Sequence, residues 1–566
     1  CGNTHIKYNK TCDYVFVFQI TCAICKGQDK DLEEFTAKCS HSFHLRCIAQ
    51  KVYWDGGYLC PVCGATMNDL PSLTKYYAKP AAGTPDEPLQ FSDDEPLPAD
   101  TTTAGQAFNA AGLQNVVIRA VPEHDAVAAS EPVPNFSVLV GLRAPPLSAD
   151  ARRAPIDLVT VLDVSSSMHF GSKLDLVKRA VSFVIDNLGP SDRLSLVCFS
   201  TSARRVFPLR MMTEQGRADA KRDVNSLRAY GVHRNPVASI MFLSDGRDTY
   251  NRLSAANNQQ QTIPVHVFGF GTDHDPIVMH AIADSSGGTF SFIESAETVQ
   301  DAFARCIGGL LSVLIQELRL SLRSASHGVV IKSIPSGKHA SEISDQGSRG
   351  TITVGDLYAD EEKEFLVNIS VPVYMDDNID ENVRTTSLLD ITGSYKDVLS
   401  NERVQMEFVE IRRPGVPSPS DVKVKLEVDR QRNRLDAAEG FAEAQRVAET
   451  GDLKGARAIL SSKRSSLLAS ASGQAGDGFT VKLEAEMKET EETMGCKRTY
   501  EQTGRAYALS NISAHANQRA TTRRRIGSGS EGPPDDAYET PNMANMVNKS
   551  QQLIKIEEDA IKKEEY

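Results

Sequence analysis

"CSHSFHLRC", residues 39–47, packs two cysteines and two histidines into nine positions. Thiolates and imidazoles at that density suit a metal ion better than a disulfide. The flanking sequence completes a series of eight ligands: Cys22-x2-Cys25-x13-Cys39-x-His41-x2-His44-x2-Cys47-x12-Cys60-x2-Cys63. Eight ligands make two tetrahedral sites, and zinc is the usual ion for mixed sulfur and nitrogen sets. Each C-x2-C pair is a knuckle that can present two sulfurs to one ion. Cys39 and His41 are too close to His44 and Cys47 for those four to share an ion naturally. Sites with four protein ligands are closed, so the metal is structural and activates no water.

The 566 residues exceed what one core serves, so three or four units are expected. Hydrophobic content of 40% with 24% charged residues fits folded domains carrying tails. A formal net charge of −12 and a pI of about 5.6 argue against general binding of nucleic acid or anionic membrane. No apolar run approaches the ~20 residues of a membrane span; the greasiest stretch, "IGGLLSVLI" at 307–315, is core-sized. The start lacks the shape of a secretory signal. It opens on Cys1 rather than Met, and the N-terminus is expected to be incomplete. Six of the eleven cysteines lie between Cys22 and Cys63, and the other five (Cys1, Cys12, Cys198, Cys306, Cys496) are scattered. That is not a disulfide framework, and a reducing compartment is expected. The cytoplasm fits, with the nucleus a second option through "TTRRRI" at 521–526, although a short solvated basic run reads the same way.

The chain reads as a succession of units. Residues 20–68 hold the zinc block, and 78–110, rich in Pro, Asp and Glu, form a linker. Residues 111–150 alternate as strands and are expected to join a later β unit. Within 155–315, "IDLVTVLDVSSS" is an apolar run ending in a polar loop, as a buried parallel strand does. "KLDLVKRAVSFVIDNLGPSD" places Leu174, Val177, Val181, Val184, Ile185 and Leu188 on one helical face before Gly189-Pro190 stops it. A hairpin over "DRLSLVCFSTSARRVFPL", a helix over "RADAKRDVNSL", strands at "ASIMFLSDG" and "IPVHVFGFGT", and a closing helix over "AETVQDAFARCIGGLLSVL" complete an α/β doubly wound pattern. Residues 316–413 return to β as a sandwich, with the α/β unit inserted in it. Residues 421–504 read as helical, and the polar, aromatic-poor 505–566 as a largely disordered tail with a terminal helix.

The ligand order resembles the RING finger of the RING-H2 kind, whose two sites interleave. The resemblance implies Cys22, Cys25, His44 and Cys47 on one zinc and Cys39, His41, Cys60 and Cys63 on the other. It also implies a docked E2 ubiquitin-conjugating enzyme, gripped by an apolar residue between the first cysteines, an aromatic on the central helix, and a proline after the seventh ligand. Those positions are Ile24, Trp54 and Pro61. Trp54 falls one helical turn later than is common in the family, which keeps its face; a plain core aromatic would also account for it. Many active members carry Arg or Lys after the last cysteine, and this chain has Gly64.

"DVSSS", Asp163-x-Ser165-x-Ser167, followed later by "LSDG", resembles the von Willebrand factor A domain and its metal-ion-dependent adhesion site. Carried over, Asp163, Ser165, Ser167 and Asp245 would hold Mg²⁺ through hard oxygens. The family adds a threonine from an intervening loop, usually followed by a helix. No threonine occurs between Thr213 and Asp245, so a loop and helix are expected to be missing near 231–235. RING-H2 finger, acidic "QFSDDEPL" linker, A domain and β unit together resemble the plant wavy-growth family of RING-type E3 ubiquitin ligases. That family is linked to root growth responses. Its implied partners are an E2, ubiquitin and a protein substrate. The alternative is a non-catalytic adaptor that binds through the A domain.

Overall fold

The computed structural model describes residues 34–44, 48, 60, 62, 63, 65, 66 and 93–96, then 115–564 apart from short stretches and the segments 228–239, 245–262 and 523–537. The chain divides into two compact units, Cys1–Leu89 and Gln90–Tyr566. In the first, β1 (Glu34–Thr36) pairs antiparallel with β2 (Ser42–His44), with Phe35 opposite Phe43. Phe43 and Ile48 are fully buried.

The second unit starts as a two-stranded ribbon, β3 (Val117–Pro122) and β4 (Val133–Arg143). The chain then leaves for the α/β domain and returns at β11 (Val313–Ser324). β12 (Val330–Ser333), β13 (Ala340–Ser344), β14 (Arg349–Tyr358), β15 (Glu362–Val371), β16 (Thr385–Asp397) and β17 (Glu402–Arg412) follow. They form two sheets, ordered β13-β14-β11-β16-β17 and β12-β15-β4-β3. The inward residues alternate as a half-buried strand requires: Phe136, Val138 and Val140 on one sheet meet Leu318, Leu320, Leu322, Leu389 and Ile391 on the other. β4 lies antiparallel to β15, so strands from either side of the insertion complete one sandwich.

The inserted domain has a six-stranded sheet, ordered β10-β9-β8-β5-β6-β7. Its strands are β5 (Asp157–Asp163), β6 (Arg193–Phe199), β7 (Ala203–Met211), β8 (Ile240–Ser244), β9 (Val265–Phe270) and β10 (Phe290–Ile293). All neighbours are parallel except β6 and β7. Helices α1 (Lys173–Asn187), α2 (Glu214–Ser226), α3 (Pro276–Ser286) and α4 (Val299–Leu310) cover the sheet. Thr213 caps α2 and Asp275 caps α3 through their side chains. The apolar face read from the sequence of α1 is buried as Leu174, Val177, Val181, Val184 and Ile185. The closing helix is shorter than expected. α4 stops at Leu310, and "SVLI" is already turning into β11, where Leu314 and Ile315 join the sandwich core.

Helices α5 (Leu426–Glu449), α6 (Leu453–Ala469), α7 (Gly478–Thr493) and α8 (Arg505–Asn517) then pack together around Phe441, Leu460, Leu483 and Met487. The expectation of a largely disordered tail over 505–566 does not hold. α8 lies on β10 through Ala506 and Leu509 against Phe290 and Phe292, and α9 (Pro541–Glu564) lies on α4 through Met543, Met546 and Val547. Polarity misled because the polar groups of this segment are paired. Asn511 donates to Thr490, His515 contacts Glu486 and Tyr538 at 2.8 Å each, and Thr522 donates its amide to Ser291 at 3.1 Å. Thr521 and Thr522, read as part of a basic run, are buried beside β10.

Burial holds two histidines of this unit neutral. Desolvation lowers His266 to about 4, helped by Arg519, and lowers His339 to about 3, helped by Lys363 and Arg519. An unfolded histidine titrates near ~6.5. Below that pH the unfolded chain binds protons that the folded chain refuses, so stability falls as pH drops from there through about 4. His339→Leu, which removes an Nε2 atom with no hydrogen-bond partner among the described residues, is expected to flatten this acid limb. Thermal unfolding of parent and variant between roughly pH 7 and 4 checks it; parallel curves would count against it.

Candidate functional site

The β1–β2 turn brings the first ligand pair together. The Ala37 amide donates to the His41 carbonyl at 3.0 Å, the Ser40 amide donates to Ala37 at 2.8 Å, and Ser40 takes a left-handed φ of 64°. Cys39 and His41 flank that residue. A second turn, closed by the Cys60 amide on the Ala65 carbonyl at 2.8 Å, carries Cys60 and Cys63. The ligand atoms of Cys39, His41, Cys60 and Cys63 all lie within 4.8 Å of one another. Cys60 Sγ is 3.6 Å from His41 Nδ1. A tetrahedral zinc with bonds of ~2.3 Å to sulfur and ~2.0 Å to nitrogen needs a sulfur–nitrogen edge of roughly 3.5 Å, so the donor set fits the ion.

The local electrostatics favour thiolate at one position. Burial raises the Cys60 thiol, but amide hydrogen bonds from Val62 and Cys63 and the thiols of Cys39 and Cys63 outweigh it, and its pKa lies below the ordinary value. Cys39 goes the other way. The His41 amide lowers it, while burial and the neighbouring Cys60 and Cys63 sulfurs leave it raised. One shared charge is easier than several when sulfurs crowd, and a divalent cation removes that conflict. His44 ends β2. Cys22, Cys25, Cys47, Ile24, Trp54, Pro61 and Gly64 lie outside the described residues.

In the A-type domain, Asp163 ends β5 and is buried. Its Oδ1 accepts the Ser165 amide at 2.8 Å, and its Oδ2 accepts the Ser244 hydroxyl at 2.8 Å. β5 and β8 are parallel neighbours, so the "DVSSS" and "LSDG" loops leave the same edge of the sheet. That is the end where open α/β sheets bind ligands. The oxygen donors suit a hard cation. Ser244 was not singled out from sequence, although as the last residue of β8, just before Asp245, it is well placed to orient Asp163. Ser167, Asp245 and the 231–235 junction lie outside the described residues.

Residues 22–63 match the family described as zinc finger, C3HC4 type (RING finger), residues 158–285 the von Willebrand factor type A domain, and residues 477–552 the family described as VWA / Hh protein intein-like. The C3HC4 pattern has cysteine at the fifth ligand, where this chain has His44. A von Willebrand factor type A structure from Catenulispora acidiphila shares the fold: TM-score 0.51 and 18% identity, covering 72% of this chain and 97% of that one. The protein is thus a RING finger joined to a von Willebrand A domain. It is 30% identical to the E3 ubiquitin-protein ligase WAV3 of Arabidopsis thaliana, over 84% of this chain and 75% of that protein. It is also 30% identical to WAVH1 of the same plant, over 79% of this chain and 70% of that protein. The chain belongs to this family of RING-type E3 ubiquitin ligases.

Proposed function

We propose that the RING finger docks a ubiquitin-charged E2 through Ile24, Trp54 and Pro61, while the A domain or the sandwich holds the protein substrate. The observation that carries this is the Cys39–His41–Cys60–Cys63 cluster within the RING match. The ligase contributes positioning: no side chain of the finger attacks the thioester, and bringing E2 and substrate together raises the effective concentration of the acceptor. Ile24→Ala removes the proposed apolar anchor, a change worth ~2 kcal/mol or more in a small interface. Chain formation with a panel of E2 enzymes is expected to fall at least about tenfold, with zinc content unchanged. Equal activity in parent and variant would instead favour the adaptor.

The finger is proposed to hold two zinc ions. Cys39, His41, Cys60 and Cys63 take one, and Cys22, Cys25, His44 and Cys47 the other. Metal binding supplies much of the folding energy of so small a unit. Metal analysis of the full chain should return two zincs, with His44→Ala losing at least one; a single zinc in the parent would refute the second site.

The A-domain site is proposed to bind Mg²⁺ weakly, through Asp163, Ser165, Ser167 and Asp245. Mg²⁺ keeps several waters, so a water can stand where the family's threonine would be. The fixed loop ligand is what is lost. Calorimetric titration should find weak binding, and substrate capture should not need the ion. Tight binding that Asp163→Ala abolishes together with capture would overturn this.

A further inference from the structure

The outer edge of β7 is occupied by the chain's own acidic segment. Edge strands present unpaired amides and carbonyls, and proteins rarely leave them bare. Here the Glu95 amide donates to the Leu209 carbonyl at 2.9 Å. The neighbouring donors are met by side chains: the Leu209 amide gives to Asp94 Oδ1 at 2.9 Å and the Met211 amide to Glu95 Oε2 at 2.7 Å. Two arginines flank the strip. Arg205 pairs with Asp93, and with Asp94 at 3.1 Å. Arg193, anchored by Asp157 at 2.7 Å, donates to the Glu95 carbonyl. Arg205 is only 11% exposed, so its guanidinium is held in place rather than waving in solvent.

That chemistry selects its occupant. A strand adding to an edge ordinarily offers carbonyls, whereas two of these edge amides are taken by carboxylates, and Arg205 pairs with Asp93 and Asp94 beside them. Charge-assisted bonds of this sort are shorter and stronger than neutral ones. A neutral peptide could supply the backbone carbonyl that Arg193 takes, but not the carboxylates that Arg205 and the Leu209 and Met211 amides hold here.

We propose that the β7 edge, with Arg193 and Arg205, is a strand-addition site for short acidic peptides, and that Asp93–Glu95 is a built-in ligand that guards it. A tethered segment competes at an effective concentration on the order of millimolar, so it excludes weak acidic sequences and yields to those bound more tightly or presented more than once. The inference deepens the reading that the A domain holds substrate, and rests on that reading for its bearing on ubiquitin transfer. It names the substrate feature: an extended run of acidic residues. The hydrogen bond from Arg205 holds the Asp93 carboxyl below its ordinary range.

The test uses the full-length chain and a fluorescent peptide with the sequence of residues 90–97, QFSDDEPL. With the strap vacated by Asp93→Ala, Asp94→Ala and Glu95→Ala together, the peptide should bind at least about tenfold more tightly than to the parent. Adding Arg205→Ala should remove that binding, and a peptide with alanine at its three acidic positions should not bind. Equal binding to parent and vacated chain, no binding to a vacated chain that melts like the parent, or indifference to Arg205→Ala would each overturn the proposal. Should the triple variant fail to fold, Asp94→Ala reads the same contact by hydrogen exchange. The Leu209 amide, protected in the parent by Asp94, should exchange fast, and unchanged protection would overturn it. Ubiquitin plays no part in these measurements, so their failure leaves the ligase reading standing.

Discussion

The segment that follows the helical region is fastened to the sandwich at one buried carboxylate, Glu361. It is 3% exposed and sits at the start of β15. Arg519 grips it at 2.8 and 3.2 Å, Lys363 reaches it at 3.0 Å, and the Tyr358 amide donates to it at 2.8 Å. Burial alone would raise its pKa, but Arg519 and Lys363 hold it at about 2. Lys363 shares that single carboxylate with a stronger cation, and burial lowers it to about 8. A buried charge stripped of its partners costs about 3–5 kcal/mol, so this cluster leaves the returning chain little choice of path. Arg519 also donates to the Asp356 carbonyl and lies over the Tyr358 ring, while Lys363 donates to the Asn517 carbonyl.

The turn at 517–519 therefore plugs into the sandwich, and the rest of the C-terminal segment is aimed by it. Gln518, left-handed at φ 48°, uses its side-chain amide to pair with both backbone groups of Glu364 at 2.9 Å. Arg434 of α5 holds the His515 carbonyl from the other side at 2.7 Å. Sandwich and helices thus meet around polar atoms that are paired with one another, as buried polar groups must be.

This explains how unevenly the chain could be read. The zinc cluster was legible because ligand chemistry and spacing are local: Cys39 and His41 flank one turn residue, and Cys60 and Cys63 flank two. The α/β domain was legible for a similar reason, since parallel strands buried on both faces are continuous apolar runs such as "IDLVTVL". The tail was not. Its helix α8 buries small and polar residues, including Ala508, Ser510, Asn511, Ala514 and His515, whose partners lie on elements far away in sequence. Nor was the docked strap. "SDDEP" looks like a solvated linker until the amides of β7 and the position of Arg205 are known. Ser244 was hidden more simply, since nothing in a lone serine after an apolar strand says that it will hydrogen-bond to Asp163.

The insertion of the α/β domain between β4 and β11 sets the order in which the protein can assemble on the ribosome. Arg143 of β4 finds its partner, Glu362 of β15, more than two hundred positions later. At ~5–20 residues per second, the β3–β4 ribbon waits roughly ten seconds or longer for the strand that covers it. The inserted domain emerges meanwhile, yet one face of its helix α4 stays uncovered until Met543 and Val547 arrive more than two hundred residues later. The N-terminal hairpin has no such delay, because Thr36 meets Ser42 within a few residues. A ligase built this way shows an open sheet edge and then an apolar helix face while more than two hundred residues are added, the surfaces that nascent-chain chaperones hold.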